Sequence, residues 1–302
     1  MTEAMLNRTL KLTPEQRRQF DDDGFFLVED AISKSEIETL LAVIDELYQR
    51  YRRERELGPH EPLQMRNIVT LNECFIRMMD HAAMLPLVVD VLGYNIQLRT
   101  SHLDVRPPLE PEVGEQSLGA DDGFFPWHSD KPDYGWPSVD GVVPYMEMKI
   151  GYYLTDLTRH NSGAICVVRG SHRQSPWITH NGQQIVDPDR IVEVNVPAGT
   201  AMVWRTALYH CLTPNLSKHA RKCLYYGYQH RWLRPSDFEH QTPDLLAGRT
   251  PIQLQLLGEL GTGKQNYAGD DVEVKPVSRY WRPQDEDIPL KAWAQEQLAP
   301  KG

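Results

Sequence analysis

Ile37, Leu40, Leu41, Ile44, Leu47, Tyr48 and Tyr51 recur at i, i+3, i+4, i+7 spacing, which predicts an amphipathic helix with one face on a core. Ser33 followed by Glu36 is a capping box at its start, and Gly58-Pro59 is expected to end it. The opposite face, with Arg50, Arg52, Arg53, Glu54 and Arg55, reads as solvated. An earlier helix is expected from Thr13-Pro14-Glu15-Gln16, a threonine cap with proline in the first turn, stopped at Gly24 before a short strand over 25–28. A third helical region is expected over about 75–92, interrupted at Pro86 and closed by Gly93.

From Asn95 the hydrophobic period changes to two. Strands are predicted over 96–105, 146–154, 164–169, 191–196, 201–208 and 222–232, joined by turn clusters such as His160-Asn161-Ser162-Gly163 and Pro197-Ala198-Gly199. Short strands preceded by helices predict a mainly β fold with flanking helices (α+β), built on a double-stranded β-helix, the jelly roll of cupins. One domain is expected over 1–302: a helical part at 12–93, the jelly-roll core at 95–234 and a C-terminal extension at 235–302 with a short helical pattern at 290–298.

Charge narrows the partners. The net charge of −10 is spread along the chain without a basic run, which argues against nucleic acid and anionic membrane. No secretory leader pattern and no apolar stretch near the roughly eighteen residues of a membrane span is seen, so a cytoplasmic protein is expected. Cys74, Cys166, Cys211 and Cys223 form no CxxC pair and are expected to be reduced core thiols. The expected partners are a small-molecule substrate and, in a homodimer, a second copy of the chain.

The candidate chemistry lies in Trp127-His128-Ser129-Asp130. Residues i and i+2 of an extended segment project from one face, so His128 and Asp130 can reach one metal ion. A second imidazole would complete the 2-His-1-carboxylate triad of non-haem Fe(II) oxygenases. His-x-Asp alone is weak, and His102-Leu103-Asp104 repeats it inside a predicted strand stopped by Arg106-Pro107-Pro108. His128 and Asp130 instead follow a loop rich in Gly, Pro and acid and stand among Phe124, Phe125, Trp127, Tyr134 and Trp136. His210, at the end of the predicted strand 201–208, is the expected second imidazole, facing the first pair across the barrel mouth. Arg221 opens the last strand. A buried guanidinium there would need a fixed anion, which a dicarboxylate cosubstrate supplies.

Taken together, Phe125-Pro126-Trp127-His128-Ser129-Asp130, Leu154-Thr155-Asp156, His160-Asn161-Ser162-Gly163, Val168-Arg169-Gly170-Ser171-His172, and His210 followed by Arg221 resemble the phytanoyl-CoA dioxygenase family. These are Fe(II)- and 2-oxoglutarate-dependent oxygenases. Trp-His-Ser-Asp, Asp140-Gly141 and Leu-Thr-Asp are most similar to the ectoine hydroxylase branch, in register over about 12–234. The resemblance implies His128, Asp130 and His210 as iron ligands and catalytic centre, and Arg221 as the clamp on 2-oxoglutarate. It places Lys149 and Asp104 near the cosubstrate, and Thr100, His102, Phe125, Tyr134, Trp204 and Tyr225 around the substrate.

The implied reaction uses O2, releases succinate and CO2, and hydroxylates an aliphatic C–H of a small to medium, partly polar metabolite. Asp130 separates the chain from halogenases, which carry a small residue there so that chloride can bind. The chain departs from the ectoine branch at Thr100 (an amide there), His102 (an arginine there), Lys149 (a small hydroxyl residue there) and in a longer acidic loop over 107–123, which is expected to act as a lid. The alternative is a cupin-like metal-binding or ligand-sensing protein without turnover.

Overall fold

The structure, a computed structural model, describes residues 11–110, 127–130, 145–259, 280, 283 and 285–298. Phe125, Tyr134 and most of the expected lid at 107–123 lie outside the described residues.

Both N-terminal capping boxes form. Helix α1 (Pro14–Asp22) is capped by Thr13 and Gln16, and Gly24 beyond it takes φ +91° to turn into β1 (Phe25–Val28). Helix α2 (Lys34–Glu54) is capped by Ser33 and Glu36 and buries Leu40, Ile44, Leu47 and Tyr48. It ends at Arg55, before Gly58-Pro59, because Arg55 and Leu57 already close its last turn.

The third helical region is two helices rather than one interrupted helix. They are α3 (Glu73–Met79) and α4 (Leu85–Leu92), separated at residues 80–84. Pro86 lies in the first turn of α4, where its missing N–H leaves no hydrogen bond unmade, so it starts a helix instead of breaking one. Between α2 and α3 runs a strand that periodicity did not flag, β2 (Leu63–Arg66), with Leu63 and Met65 inside and Gln64 and Arg66 out.

The sheet strands follow in chain order: β3 (Ile96–Arg106), β4 (Glu147–Tyr153), β5 (Ile165–Val168), β6 (Trp177–His180), β7 (Gln183–Val186), β8 (Ile191–Glu193), β9 (Ala201–Arg205), β10 (His210–Leu212) and β11 (Arg221–His230). Six of them form one antiparallel sheet in the order β1-β9-β4-β11-β3-β2, and β10-β5-β8 form a second. These are the two layers of a jelly roll, with helices packed on the larger sheet.

Two cores result. The larger lies between the helices and the outer face of the six-stranded sheet, with Phe20, Ile44, Phe75, Val88, Ile150 and Tyr226. The smaller lies between the sheets, with Tyr153, Val167, Met202, Trp204 and Tyr225. The β6–β7 hairpin stands apart on an Asn181-Gly182 turn whose residues both take positive φ.

Beyond β11 the chain forms α5 (Pro243–Leu246), α6 (Pro251–Leu256) and α7 (Pro289–Leu298). Buried Arg231 donates to the carbonyls of Glu259 and Asp287 at 2.6 Å each, and Leu256, Leu290 and Ala294 join the larger core. The four cysteines are unbridged. Among the described residues no helix is long and apolar enough to cross a membrane.

Candidate metal and cosubstrate site

Strand alternation and one cross-strand bridge assemble the centre. His210 does not end the strand before it, as expected. β9 stops at Arg205, a turn intervenes, and His210 is the first residue of β10 in the smaller sheet. Nor does it face His128 across a mouth. The two are bridged neighbours, His128 N donating to His210 O at 3.0 Å and His210 N to His128 O at 2.8 Å. Their rings lie 4.4 Å apart.

Asp130 lies two residues beyond His128, as alternation requires, with its Oδ2 3.4 Å from His210 Nε2. One ligand atom each from His128, Asp130 and His210 lie within 4.8 Å of one another. His210 Nδ1 donates to Leu208 O at 2.9 Å, and since a carbonyl only accepts, the proton sits on Nδ1 and the Nε2 lone pair faces the group. The donor set therefore suits a divalent transition metal. His102 and Asp104, which repeat the motif, are not part of the cluster.

Lys149 on β4 places its Nζ 2.7 Å from Asp130 Oδ2. Burial alone would raise the Asp130 pKa, but the ammonium of Lys149 and then His210 hold the carboxyl well below its usual range. Burial pulls His210 down to about 4, so its imidazole is neutral and ready to ligate. Arg99 on β3 donates from Nη2 to the Asp130 carbonyl at 3.4 Å and pairs through Nη1 with buried Glu147 at 3.0 Å, which anchors the segment from below.

A cavity opens on this group, walled also by Gln64, Arg66, His102, Asp104, Ile165, Trp204, Leu212 and Tyr225. A larger cavity of about 780 Å³, beside the C-terminal segment, is walled by none of the three ligand candidates.

Arg221 stands one layer behind the wall, fully buried. Its Nη1 donates to Asp104 Oδ2 at 2.7 Å and its Nη2 to the Tyr225 hydroxyl, while Nε is buried without a partner among the described residues. Tyr225 lines the cavity, so the arginine meets it through that hydroxyl. Burial raises Asp104 less than Arg221 and Arg106 lower it, and it stays ionised. Thr100, on the same face of β3, is buried and donates to Asp237 Oδ2 at 2.7 Å instead of walling the cavity.

Sequence reasoning missed Arg66, Gln64, Arg99 and Asp237. The first two lie on the short β2, whose in-out alternation over four residues was the available signal.

The phytanoyl-CoA dioxygenase family model matches residues 20–223, which include His128, Asp130, His210 and Arg221. The chain belongs to the phytanoyl-CoA dioxygenase family. Members of the phytanoyl-CoA dioxygenase family use Fe(II), 2-oxoglutarate and O2.

Among relatives, an ectoine dioxygenase of Bordetella parapertussis is 25% identical over 169 residues, which is 54% of this chain and 50% of that protein. The chain thus spans about half the length of the ectoine dioxygenases it matches. A probable alpha-ketoglutarate-dependent hypophosphite dioxygenase of Stutzerimonas stutzeri is 23% identical over 242 residues, covering 71% and 77%. Among solved structures, HygX from Streptomyces hygroscopicus with nickel and 2-oxoglutarate bound superposes with a TM-score of 0.57 at 20% identity, over 78% of this chain and 94% of that one, and so shares the fold.

Proposed function

We propose that the chain is an Fe(II)- and 2-oxoglutarate-dependent oxygenase that hydroxylates an aliphatic C–H of a small to medium, partly polar metabolite. The observation that carries the reading is the convergence of His128, Asp130 and His210 on one cavity wall, with buried Arg221 behind the adjoining wall. Bound iron would supply O2 activation coupled to decarboxylation of 2-oxoglutarate to succinate and CO2.

The residues divide the remaining work. His128, Asp130 and His210 would hold the metal. Tyr225, aligned by Arg221, meets the distal carboxylate of 2-oxoglutarate, with the guanidinium behind it supplying the countercharge. Lys149 offsets the charge of Asp130. Trp204, His102 and Ile165 wall the space and exclude water. The expected roles of Phe125 and Tyr134 remain part of this proposal, and both fall outside the described residues.

The test is incubation with Fe(II), ascorbate and 2-oxoglutarate, with and without fractions of a metabolite pool. Succinate release that depends on one fraction, and is lost in His128→Ala, supports the reading and begins to name the substrate. Metal binding with no succinate from any fraction would favour a ligand-sensing cupin.

A further inference from the structure

Resting on the oxygenase reading above, we propose that Arg66 is a substrate-specificity residue that binds an anionic group, so that the substrate is a small metabolite bearing a carboxylate or a phosphorus oxyanion. Strand β2 forms the free edge of the six-stranded sheet, and its alternation turns Leu63 and Met65 into the core. Gln64 and Arg66 are thereby left on the cavity wall.

One end of the guanidinium is fixed. Arg66 Nη1 lies 3.3 Å from Thr100 Oγ1 and 3.2 Å from His102 Nδ1, both neutral partners. The Thr100 hydroxyl is committed as a donor to Asp237, so it can only accept from Arg66. His102 is held neutral by burial and by the nearby Lys149 and Arg66 cations. Among the described residues Arg66 has no carboxylate partner, and its Nη2 and Nε make no hydrogen bond. Asp237 reaches it only through the hydroxyl of Thr100. A guanidinium pinned by one nitrogen presents the rest of its fork to an incoming anion at little entropic cost.

The other cations near the cavity each have a carboxylate contact. Lys149 pairs with Asp130, and Arg221 with Arg106 shares Asp104. Arg66 is then the cation at the wall without a counterion among the described residues, and the indole N–H of Trp204 is a further buried donor without a partner there. Arg66 is exposed beside the cavity, so an anionic group docking there would compensate its positive potential, which an uncharged substrate would not.

The experiment uses the full chain loaded with Zn(II), which does not turn over, and 2-oxoglutarate. Propionate, propylphosphonate and neutral propionamide are titrated by saturation-transfer NMR against wild type, Arg66→Gln and Arg66→Lys, each with its melting curve. Both anions should bind wild type and the amide should not. Arg66→Gln should weaken the anions by roughly tenfold or more, consistent with the loss of a charge-assisted pair, and Arg66→Lys should restore part of it. The 2-oxoglutarate affinity should stay the same in both variants.

Equal anion binding by wild type and Arg66→Gln, or no anion binding by loaded wild type, overturns the assignment alone. A fall in 2-oxoglutarate affinity with the probes unmoved assigns Arg66 to the cosubstrate and overturns it too. Wild type that takes up neither metal nor 2-oxoglutarate overturns the oxygenase reading, and this proposal with it.

Discussion

Arg221 Nη1 and Asp104 Oδ2 meet at 2.7 Å with both side chains withdrawn from water, 0% and 3% exposed. A buried pair of this kind gains little over apolar packing, and losing Arg221 leaves Asp104 with Arg106 as its remaining cation. Arg221→Gln should therefore destabilise the fold by less than the roughly 3–5 kcal/mol of a fully stranded charge, read by urea unfolding. Calorimetry should show 2-oxoglutarate binding weakened by roughly thirtyfold or more, with metal uptake intact. Adding Asp104→Asn to Arg221→Gln should recover part of the stability but not the cosubstrate. Unchanged 2-oxoglutarate binding in the single variant would make Arg221 a structural residue.

Metal binding discriminates between the two His-x-Asp motifs. His128→Ala or Asp130→Ala should lower Fe(II) affinity by at least about a hundredfold, since even outer-shell partners are worth ten- to a hundredfold. Melting temperature without metal should hold for His128→Ala, which leaves the Lys149–Asp130 pair in place. Loss of iron from His102→Ala in a metal titration would contradict the assignment.

Lys149 Nζ meets Asp130 Oδ2 at 2.7 Å. Lys149→Met should remove that charge-assisted contact and destabilise the metal-free protein by about 2 kcal/mol. The rise in melting temperature on adding Fe(II) anaerobically should consequently be larger in the variant than in wild type. An equal rise would mean that the lysine does not stand in for the metal.

His172 gives a pH signature away from the centre. Its Nε2 donates to Asp21 O at 2.9 Å, and its buried Nδ1 has no partner among the described residues. Burial, with Arg205 adding to it, lowers its pKa to about 4. The unfolded chain therefore binds more protons between the ordinary histidine value near 6.5 and about 4. The stability this neutral histidine contributes is present above that window and lost as pH falls through it, by at most roughly 3 kcal/mol. His172→Gln should flatten the slope of stability against pH between 6.5 and 4 in denaturant titrations. An unaltered slope would assign the acid sensitivity elsewhere.

The parts of the fold with local signals were legible. Capping boxes are written in three or four adjacent residues, and Thr13 with Gln16 and Ser33 with Glu36 placed both helix starts. Two-residue alternation located β3, β4, β5, β8, β9 and β11, although β8 and β9 stop three residues short of expectation. His128, Asp130 and His210 could be chosen because their neighbours differ from those of His102.

What could not be read is non-local. The alternation in β2 is too short to stand out between helices, so Arg66 went unseen. The pairing of Lys149 with Asp130 depends on how a strand and a loop segment meet in space. The β6–β7 hairpin carried its signal in Asn181-Gly182, but its strands are mostly exposed and show no buried face to confirm it.

The backbone bridge between His128 and His210 makes the centre a matter of length as well as identity. Trp127 and Tyr209, each one residue before a ligand candidate, stack against one another at 6.3 Å, and neither walls the cavity. A single-residue insertion or deletion in either segment would exchange the two sides, bringing an indole or a phenol where an imidazole stands. Conservative substitutions around the bridge should thus be survivable where indels are not. The Asn181-Gly182 hairpin, which hands no residue to the cavity, is where changes in chain length can accumulate.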